Sequence, residues 1–295
     1  QRWSDHASFG PPARLIRLRG GGTVSESRLL EAQKVEIHPE VRVFPIQLAR
    51  GPGGTQVDLA LSDAIIVNIS TYAGLLWANL LGLGPELWRV LVGRTPLGLL
   101  KMAFGALRSW SLKPDQVAGK LNRYGKNVSI HPSAVVEGCV LMDNVTIGPL
   151  AVVRGCIVRD NVRIEASALV VGCVLDEGAV VQRKGWAQYS LLGRESAVGG
   201  VIQLGVLGEQ AQLKHGGVLM DQAMNGPVRL LVQGQLVEAP LGMLGCCVGR
   251  RALIGCGVRV APGRVVPTDT VVLATTGTLK KPNLAGSHDG VYVTT

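Results

Sequence analysis

Aromatic residues are scarce in this sequence: phenylalanine, tryptophan and tyrosine together make up 4% of its 295 residues. That scarcity fits an interior too thin to accommodate rings. Charged residues are also few, at 17%, and no apolar run reaches eighteen residues without a glycine, a proline or a charge. A transmembrane helix is therefore not predicted, and the composition is that of a globular protein.

Basic residues outnumber acidic ones and give a net charge of +9, but they form no block of five or six. A nucleic-acid partner is therefore not favoured. Phosphorylated small molecules, coenzyme A and an acidic surface remain candidate partners. The basic residues are scattered even near the C-terminal end, at Arg250, Arg251, Arg259, Arg264, Lys280 and Lys281.

The six cysteines do not show the spacing of a disulfide framework or a metal site. Cys139, Cys156 and Cys173 recur every 17 residues, so we expect a ladder of small buried thiols in a reducing cytosol. The three later cysteines are also interpreted as small residues of the core: Cys246, Cys247 and Cys256. No metal is expected, and no signal-peptide pattern is present, so a cytoplasmic location is predicted. The sequence does not begin with methionine, so the presence of further residues before Gln1 stays an open question.

A repeat of 17 residues runs from Val128 to Val181 and divides into steps of six, five and six. Short β-branched strands that turn a corner about every six residues keep such a pattern facing inward, whereas a helix of 3.6-residue period does not. The pattern predicts a parallel β-helix with three strands per coil. A small or β-branched residue stands two positions before each large inward residue. The large inward residues are Ile130, Val136, Leu141, Ile147, Val153, Val158, Ile164, Val170, Leu175 and Val181.

The segments Ile147–Val152 and Cys173–Val180 resemble the hexapeptide repeats of left-handed β-helix acyltransferases and of the C-terminal part of sugar-phosphate nucleotidyltransferases. The resemblance covers roughly the last 170 residues. It implies a mainly β fold with left-handed winding, and a homotrimer. It does not select an activity, because one coil architecture carries many.

The chain is expected to have four parts: an N-terminal arm and small β unit (1–70), a helical linker (71–121), the β-helix (122–275) and a C-terminal tail (276–295). Strands are predicted at Val35–Ile37, Val41–Ile46, Val57–Leu61 and Ala64–Ile69.

Capping and proline signals in the linker predict one helix from Ser70 or Thr71 to Leu81, a second from Pro85 to Val92 and a third from Pro96 to Trp110. We expect these helices to pack on the β-helix or at a subunit interface. A membrane-surface pair is the less favoured alternative. Two segments, Val67–Thr71 and Leu75–Leu81, resemble the strand and helix that close the catalytic domain of sugar nucleotidyltransferases, whose Gly-rich nucleotide loop does not open this sequence.

Regular counting fails after Val181, where Lys184–Tyr189 is interpreted as an excursion from a corner. Residues Val228 to Glu238, with Gly234 between two apolar runs, predict a β-hairpin within 227–240. Coils are expected to return through Val248, Ile254, Val260 and Val266. The tail around Lys280 is expected to form an exposed strap.

His215 is the main candidate for catalysis, with Asp221 six residues later. The stretch Lys214–Asp221 is similar to the histidine-containing coil of hexapeptide acetyltransferases. That resemblance implies that His215 takes a proton from the accepting hydroxyl or amine, work suited to a neutral imidazole. Gly216 and Gly217 permit a backbone N–H to approach the oxyanion, and Arg259 and Lys280 are candidates for holding the phosphates of an acyl-coenzyme A.

Other polar residues are interpreted structurally. His131 marks an N-terminal corner, and the histidines lack the arrangement of a zinc site. Acidic residues at successive corners, including Asp160 and Glu165, predict a ladder of exposed ion pairs.

Three functions stay open: an acyltransferase acting on a sugar or nucleotide sugar, a trimerising or regulatory relative of nucleotidyltransferases that serves a partner subunit, and a structural scaffold.

Overall fold

The computed structural model describes residues 41–48, 55–62, 71–91, 100, 121–232, 234–274, 278–279 and 291–294. The chain divides into two compact units, residues 1–68 and 69–295. In the first unit, β1 (Val41–Leu48) pairs antiparallel with β2 (Thr55–Ser62). This confirms the strands predicted at Val41–Ile46 and Val57–Leu61, while Val35–Ile37 and Ala64–Ile69 lie outside the described residues.

The second unit contains the predicted parallel β-helix, and its strands lie on three faces. Each complete coil contributes three strands in chain order: the first lies on face 1, the second on face 2 and the third on face 3. In chain order the strands are β3 (Arg123–Tyr124), β4 (Ser129–Ile130) and β5 (Val135–Glu137) in coil 1; β6 (Val140–Leu141), β7 (Thr146–Ile147) and β8 (Val152–Arg154) in coil 2; β9 (Ile157–Val158), β10 (Arg163–Ile164) and β11 (Leu169–Val171) in coil 3; β12 (Val174–Leu175), β13 (Val180–Val181) and β14 (Trp186–Gln188) in coil 4; β15 (Leu191–Leu192), β16 (Ala197–Val198) and β17 (Val201–Gln203) in coil 5; and β18 (Val206–Leu207), β19 (Gln212–Leu213) and β20 (Val218–Leu219) in coil 6.

An antiparallel hairpin interrupts the coils, formed by β21 (Arg229–Val232) and β22 (Gln235–Glu238) and followed by a short 3-10 helix, Pro240–Gly242. The hairpin lies where the sequence predicts it. The coils then resume with β23 (Cys247–Val248), β24 (Leu253–Ile254) and β25 (Arg259–Val260) in coil 7; β26 (Val265–Val266), β27 (Val271–Ala274) and β28 (Thr278–Leu279) in coil 8; and β29 (Val291–Thr294) on face 2 of a ninth.

The 17-residue repeat equals one turn of the β-helix. Ile147 pairs with Ile130 below it and with Ile164 above it, each 17 positions away. Ile147 and Val153 are almost completely buried, as are their counterparts in later coils, and together they form one continuous core. Stacking of aliphatic and small side chains in this thin interior stabilises the coils. The arrangement agrees with the left-handed β-helix that the resemblance implies.

One corner of the early coils is built from asparagines, a feature that the sequence analysis did not single out. Asn127, Asn144 and Asn161 have φ values of 53°, 58° and 61°, in the left-handed region that asparagine tolerates better than most residues. Their side chains also form a ladder, in which Asn127 Nδ2 donates to Asn144 Oδ1 and Asn144 Nδ2 donates to Asn161 Oδ1, both at 3.2 Å.

Two interpretations of the later coils need correction. The excursion proposed for Lys184–Tyr189 is wrong, because Trp186–Gln188 is the strand β14, paired in register with β11. Strand pairing also extends past residue 275, since β28 and β29 join faces 3 and 2. Arg264 takes the position of a small inward residue, where it is half-buried and its guanidinium donates to the carbonyl of Arg229 in the hairpin.

The two helices predicted for 71–92 are a single helix, α1 (Tyr72–Leu91). The exposed Pro85 removes one hydrogen bond, yet the helix continues, because packing on face 1 offsets the cost of about 3 kcal/mol. At one end Leu76 joins a cluster with the hairpin, and at the other Leu91 packs on Val140 of coil 2. The third helix, predicted from Pro96 to Trp110, lies outside the described residues apart from Leu100.

One further contact fixes the position of α1. The Tyr72 hydroxyl donates to the Gly245 carbonyl at 3.0 Å and ties the start of the helix to coil 7. Face 1 is therefore covered by α1 along much of its length. No helix in the described part of the chain is long and apolar enough to cross a membrane.

Four of the six cysteines are buried as expected, whereas Cys247 is half-buried and Cys256 is exposed. Cys139, Cys156 and Cys173 are completely buried, and each thiol donates to the backbone carbonyl two residues earlier. Burial raises the pKa of Cys246 to about 12 and that of Cys247 to about 11. The prediction of a buried thiol is wrong at Cys256, because that residue is exposed.

Candidate active site

The edge between faces 2 and 3 (the 2–3 edge) carries His215 and is irregular at one coil. Four residues form this edge in coils 4 and 6, at 182–185 and 214–217, but coil 5 has two, Gly199 and Gly200. Coil 5 is correspondingly short, since Leu191 pairs with Val206, 15 positions later. The missing pair leaves a notch between the edges of coils 4 and 6.

Strand register identifies the residues that border this notch. Val181 pairs with Val198 and Trp186 pairs with Val201, so Arg183 and Lys184 of coil 4 have no counterpart in coil 5. On the other side, Val198 pairs with Leu213 and Val201 pairs with Val218. His215 and Gly216 of coil 6 therefore also have no counterpart in coil 5. The notch separates the corner formed by Arg183 and Lys184 from the corner formed by His215 and Gly216.

Two polar side chains converge on the space above Gly199. A Cβ atom placed on Gly199 would collide with Gln182 Oε1 and would lie 2.8 Å from His215 Nδ1. A Cβ atom on Gly200 would collide with the backbone carbonyl of Gly217. Gly200 is therefore required by the close approach of the coil 5 and coil 6 backbones, and the small size of both glycines keeps the gap beside His215 open.

His215 is exposed at the corner, as predicted. Its backbone carbonyl accepts a hydrogen bond from Gly257 at 3.3 Å, which fixes the main chain against coil 7. Its imidazole makes no hydrogen bond to any residue described in the structure, so its ring nitrogens are available to a ligand. Cys256 is its neighbour in coil 7, because Leu213 pairs with Ile254.

The glycines that follow His215 differ in what they offer. Gly217 is buried; its N–H donates to Lys214 O at 3.0 Å, and a Cβ there would lie 2.7 Å from Leu213 Cδ1. Gly216 is exposed with a φ of 71°, and its N–H has no partner within the described part of the chain. Of the predicted pair, Gly216 is thus the one with a free donor.

Asp221 does not lie beside His215. The two residues stand at opposite ends of β20, and Gly217 to Asp221 alone spans about 13 Å at the usual rise of an extended chain. Asp221 instead lines a cavity of about 440 Å³ on face 3, and burial raises the pKa of its carboxyl group above the ordinary value. The cavity is lined by Val201, Gln203, Val218, Leu219, Met220, Asp221, Gln222, Ala223 and Met224.

Of the two cationic residues predicted to hold phosphate groups, the structure describes Arg259 but not Lys280. Arg259 is exposed on β25 and pairs with Val218, so it lies next to this cavity on face 3. Lys280 lies outside the described residues. In the described part of the chain, no three His, Cys, Asp or Glu side chains come together in a way that could hold a metal ion.

The remaining polar side chains at the corners have structural roles, but two of the acidic ones, Asp160 and Glu165, bond to the backbone. His131 Nδ1 lies 2.8 Å from Ser133 Oγ and accepts from the Ser133 N–H, as suits an N-terminal corner. Arg159 pairs with Asp176 at 3.6 Å on the exposed surface. Asp160 and Glu165 instead accept backbone hydrogen bonds, from Asp143 N and Arg183 N.

Four features of the site were not predicted from the sequence: Gln182, Arg183, Lys184 and the short coil itself. A count of 15 rather than 17 residues between Leu191 and Val206 was the available signal.

Comparison with known proteins supports the fold. The family profile described as "GlmU-like, C-terminal hexapeptide" matches residues 123–180. No curated protein matches the sequence significantly. Forty-two chains of solved structures do match.

Three of these structures come from acyltransferases or a putative one. The polysialic acid O-acetyltransferase OatWY is 19% identical, with a TM-score of 0.23, over 59% of this chain and 84% of its own. A putative acetyltransferase of Bacillus cereus is 14% identical, with a TM-score of 0.21, over 51% and 76%. The Francisella novicida UDP-N-acetylglucosamine acyltransferase is 12% identical, with a TM-score of 0.20, over 51% and 62%. With such scores, none of the three assigns a substrate to this chain.

Proposed function

Because this chain carries a hexapeptide-repeat β-helix, we propose that it is an acyltransferase that transfers an acyl group from acyl-coenzyme A to a sugar or nucleotide sugar. The observation that carries the proposal is the notch beside His215. An exposed imidazole that makes no hydrogen bond to the described residues faces a gap that two glycines keep open, and this is the geometry that a general base needs.

In the proposed reaction, a neutral His215 takes the proton of the acceptor hydroxyl or amine while that atom attacks the thioester carbonyl. The attack places negative charge on the carbonyl oxygen, and a preorganised N–H donor stabilises that charge. Gly216 is the candidate donor because its N–H makes no hydrogen bond to the residues that the structure describes. Collapse of the tetrahedral intermediate expels the thiolate of coenzyme A, which receives the proton from His215.

The cavity on face 3 is the proposed location of the acyl donor. Its volume falls within the range of small-molecule sites. The exposed Arg259 next to it supplies a positive charge for a phosphate group. Asp221 acts in this scheme as part of the cavity wall rather than as a partner of His215.

The test compares His215→Ala with His131→Ala in an assay of acetyl transfer from acetyl-coenzyme A to a panel of sugars and nucleotide sugars. His131 is the matched control, because it is an exposed histidine on the same edge, five coils away. Loss of a general base should lower kcat by about 10²- to 10⁴-fold. Wild-type turnover by His215→Ala, or calorimetry without coenzyme A binding, would refute the proposal.

A second candidate follows from the matched profile, which describes the C-terminal part of a larger protein. In this alternative the β-helix is a trimerising or regulatory module for a nucleotidyltransferase subunit. Co-purification with a partner that carries a Gly-rich nucleotide loop, together with no acyl transfer, would favour it.

Both candidates include a homotrimer, which is a proposal in its own right. Mass photometry should then give three times the chain mass of 31.1 kDa.

A further inference from the structure

The notch is bordered on its coil 4 side by two cations. Arg183 and Lys184 are both exposed, and their side chains make no hydrogen bond or ion pair with the described residues. Lys184 stands at the corner tip, with a φ of 61°. Two adjacent, unpaired positive charges at the border of an open gap attract an anionic group.

The acidic residues nearby compensate this charge only in part. Glu165, one coil below, accepts a hydrogen bond from the backbone N–H of Arg183 at 3.0 Å rather than from its guanidinium. Asp221 lies at the far end of β20. On the opposite border, Lys214 adds a further positive charge. Its Nζ donates a hydrogen bond to the neutral Gln212 Oε1 at 2.6 Å.

The separation across the notch matches one small molecule. Coils 4 and 6 are two strand spacings apart, or about 10 Å. Gln182 Oε1 and His215 Nδ1 point into the space between them. A monosaccharide can therefore place a hydroxyl at His215 and an anionic substituent at Arg183 and Lys184 in the same complex.

We infer that the notch binds an anionic monosaccharide unit, with its carboxylate or phosphate held by Arg183 and Lys184 and a hydroxyl presented to His215. This inference rests on the proposed acyl transfer for the role of the sugar as acceptor. The binding itself requires no acyl donor.

The test is calorimetry on the full chain with glucose 6-phosphate, glucuronate and glucose as probes. The first two should bind at least about 10-fold more tightly than glucose, since a charge-assisted contact is stronger than a neutral one. Their order separates a phosphate from a carboxylate ligand. Inorganic phosphate should bind more weakly than glucose 6-phosphate, because it reaches one border of the notch.

Charge variants locate the site. The double variant Arg183→Gln with Lys184→Gln should weaken binding of the preferred anion by at least about 10-fold and leave glucose binding unchanged. Arg250→Gln is the matched control, because Arg250 is an exposed corner arginine on a different edge, and it should change nothing.

Either of two outcomes overturns the inference: equal affinity for glucose and the anions, or anion binding that survives the double variant. Anion binding without any acyl transfer would refute the proposed function alone. Acetylation of neutral and anionic sugars alike, by both wild type and double variant, would refute the inference alone.

Discussion

Replacement of Gly199 by alanine tests whether the gap beside His215 matters for activity. The new methyl group would lie between coils 4 and 6, against Gln182 Oε1 and 2.8 Å from His215 Nδ1. Both contacts are ends of flexible side chains, so they can move. The backbone also accepts alanine, because Gly199 is not among the glycines with a left-handed φ.

The size of the effect follows from the contact distance. Ordinary contacts of a Cβ atom begin at 3.4 Å, so the imidazole must retreat by about 0.6 Å. A shift of about 1 Å at a reacting group can cost about 100-fold in rate. We therefore expect kcat to fall by about 10- to 100-fold, while the free energy of unfolding falls by less than about 1 kcal/mol.

The assay measures acetyl transfer and urea unfolding on the same preparations, with two matched glycine variants. In Gly200→Ala the methyl group meets the backbone carbonyl of Gly217, which cannot move freely, so stability should fall by about 3 kcal/mol. In Gly82→Ala, within α1, nothing lies within 4 Å, so activity should stay unchanged and stability should rise by up to about 1 kcal/mol. Full activity in Gly199→Ala would show that the notch is not part of the active site.

Three further predictions concern the thiols, the helix and the cavity. Cys256 should be the one thiol of six that reacts rapidly with Ellman's reagent in the folded protein, and Cys256→Ser should abolish that phase. Leu76→Ala should lower the free energy of urea unfolding by about 2 to 5 kcal/mol, because Leu76 is 0% exposed. Leu75→Ala, beside it and 42% exposed, should cost less than about 1 kcal/mol, and equal costs would contradict the packing of α1 on face 1. Because burial raises the pKa of Asp221, its ionisation opposes folding, and this contribution to stability is lost as pH rises from the ordinary to the raised pKa. Asp221→Asn should therefore gain stability relative to wild type in thermal unfolding between about pH 3 and pH 7; a constant difference would contradict the buried environment.

Periodicity predicts this fold well where the chain repeats without interruption. Ile147 and Val153 were assigned to the interior from spacing alone, and both are almost completely buried. The prediction succeeded because each coil repeats the same inward positions, so a local pattern determines burial. It failed at Lys184–Tyr189, although β14 still follows β11 by 17 residues, because the small Ala187 takes the inward position that a large aliphatic residue holds in the earlier coils.

The helix shows a different limit. Pro85 was taken as the start of a second helix, as its missing N–H usually requires. In the folded protein both halves of α1 pack on face 1, and that tertiary contact keeps the helix continuous.

By itself, the sequence determined the three-sided coils, the thiol ladder and the position of His215 at a corner, because each depends on spacing along the chain. Only the tertiary structure decided what surrounds His215. Gln182, Gly199 and Cys256 are distant from it in sequence, and they reach its surroundings because successive coils stack their corners in register. The same stacking places Asp221 beyond the far end of β20, although it is six residues away in sequence.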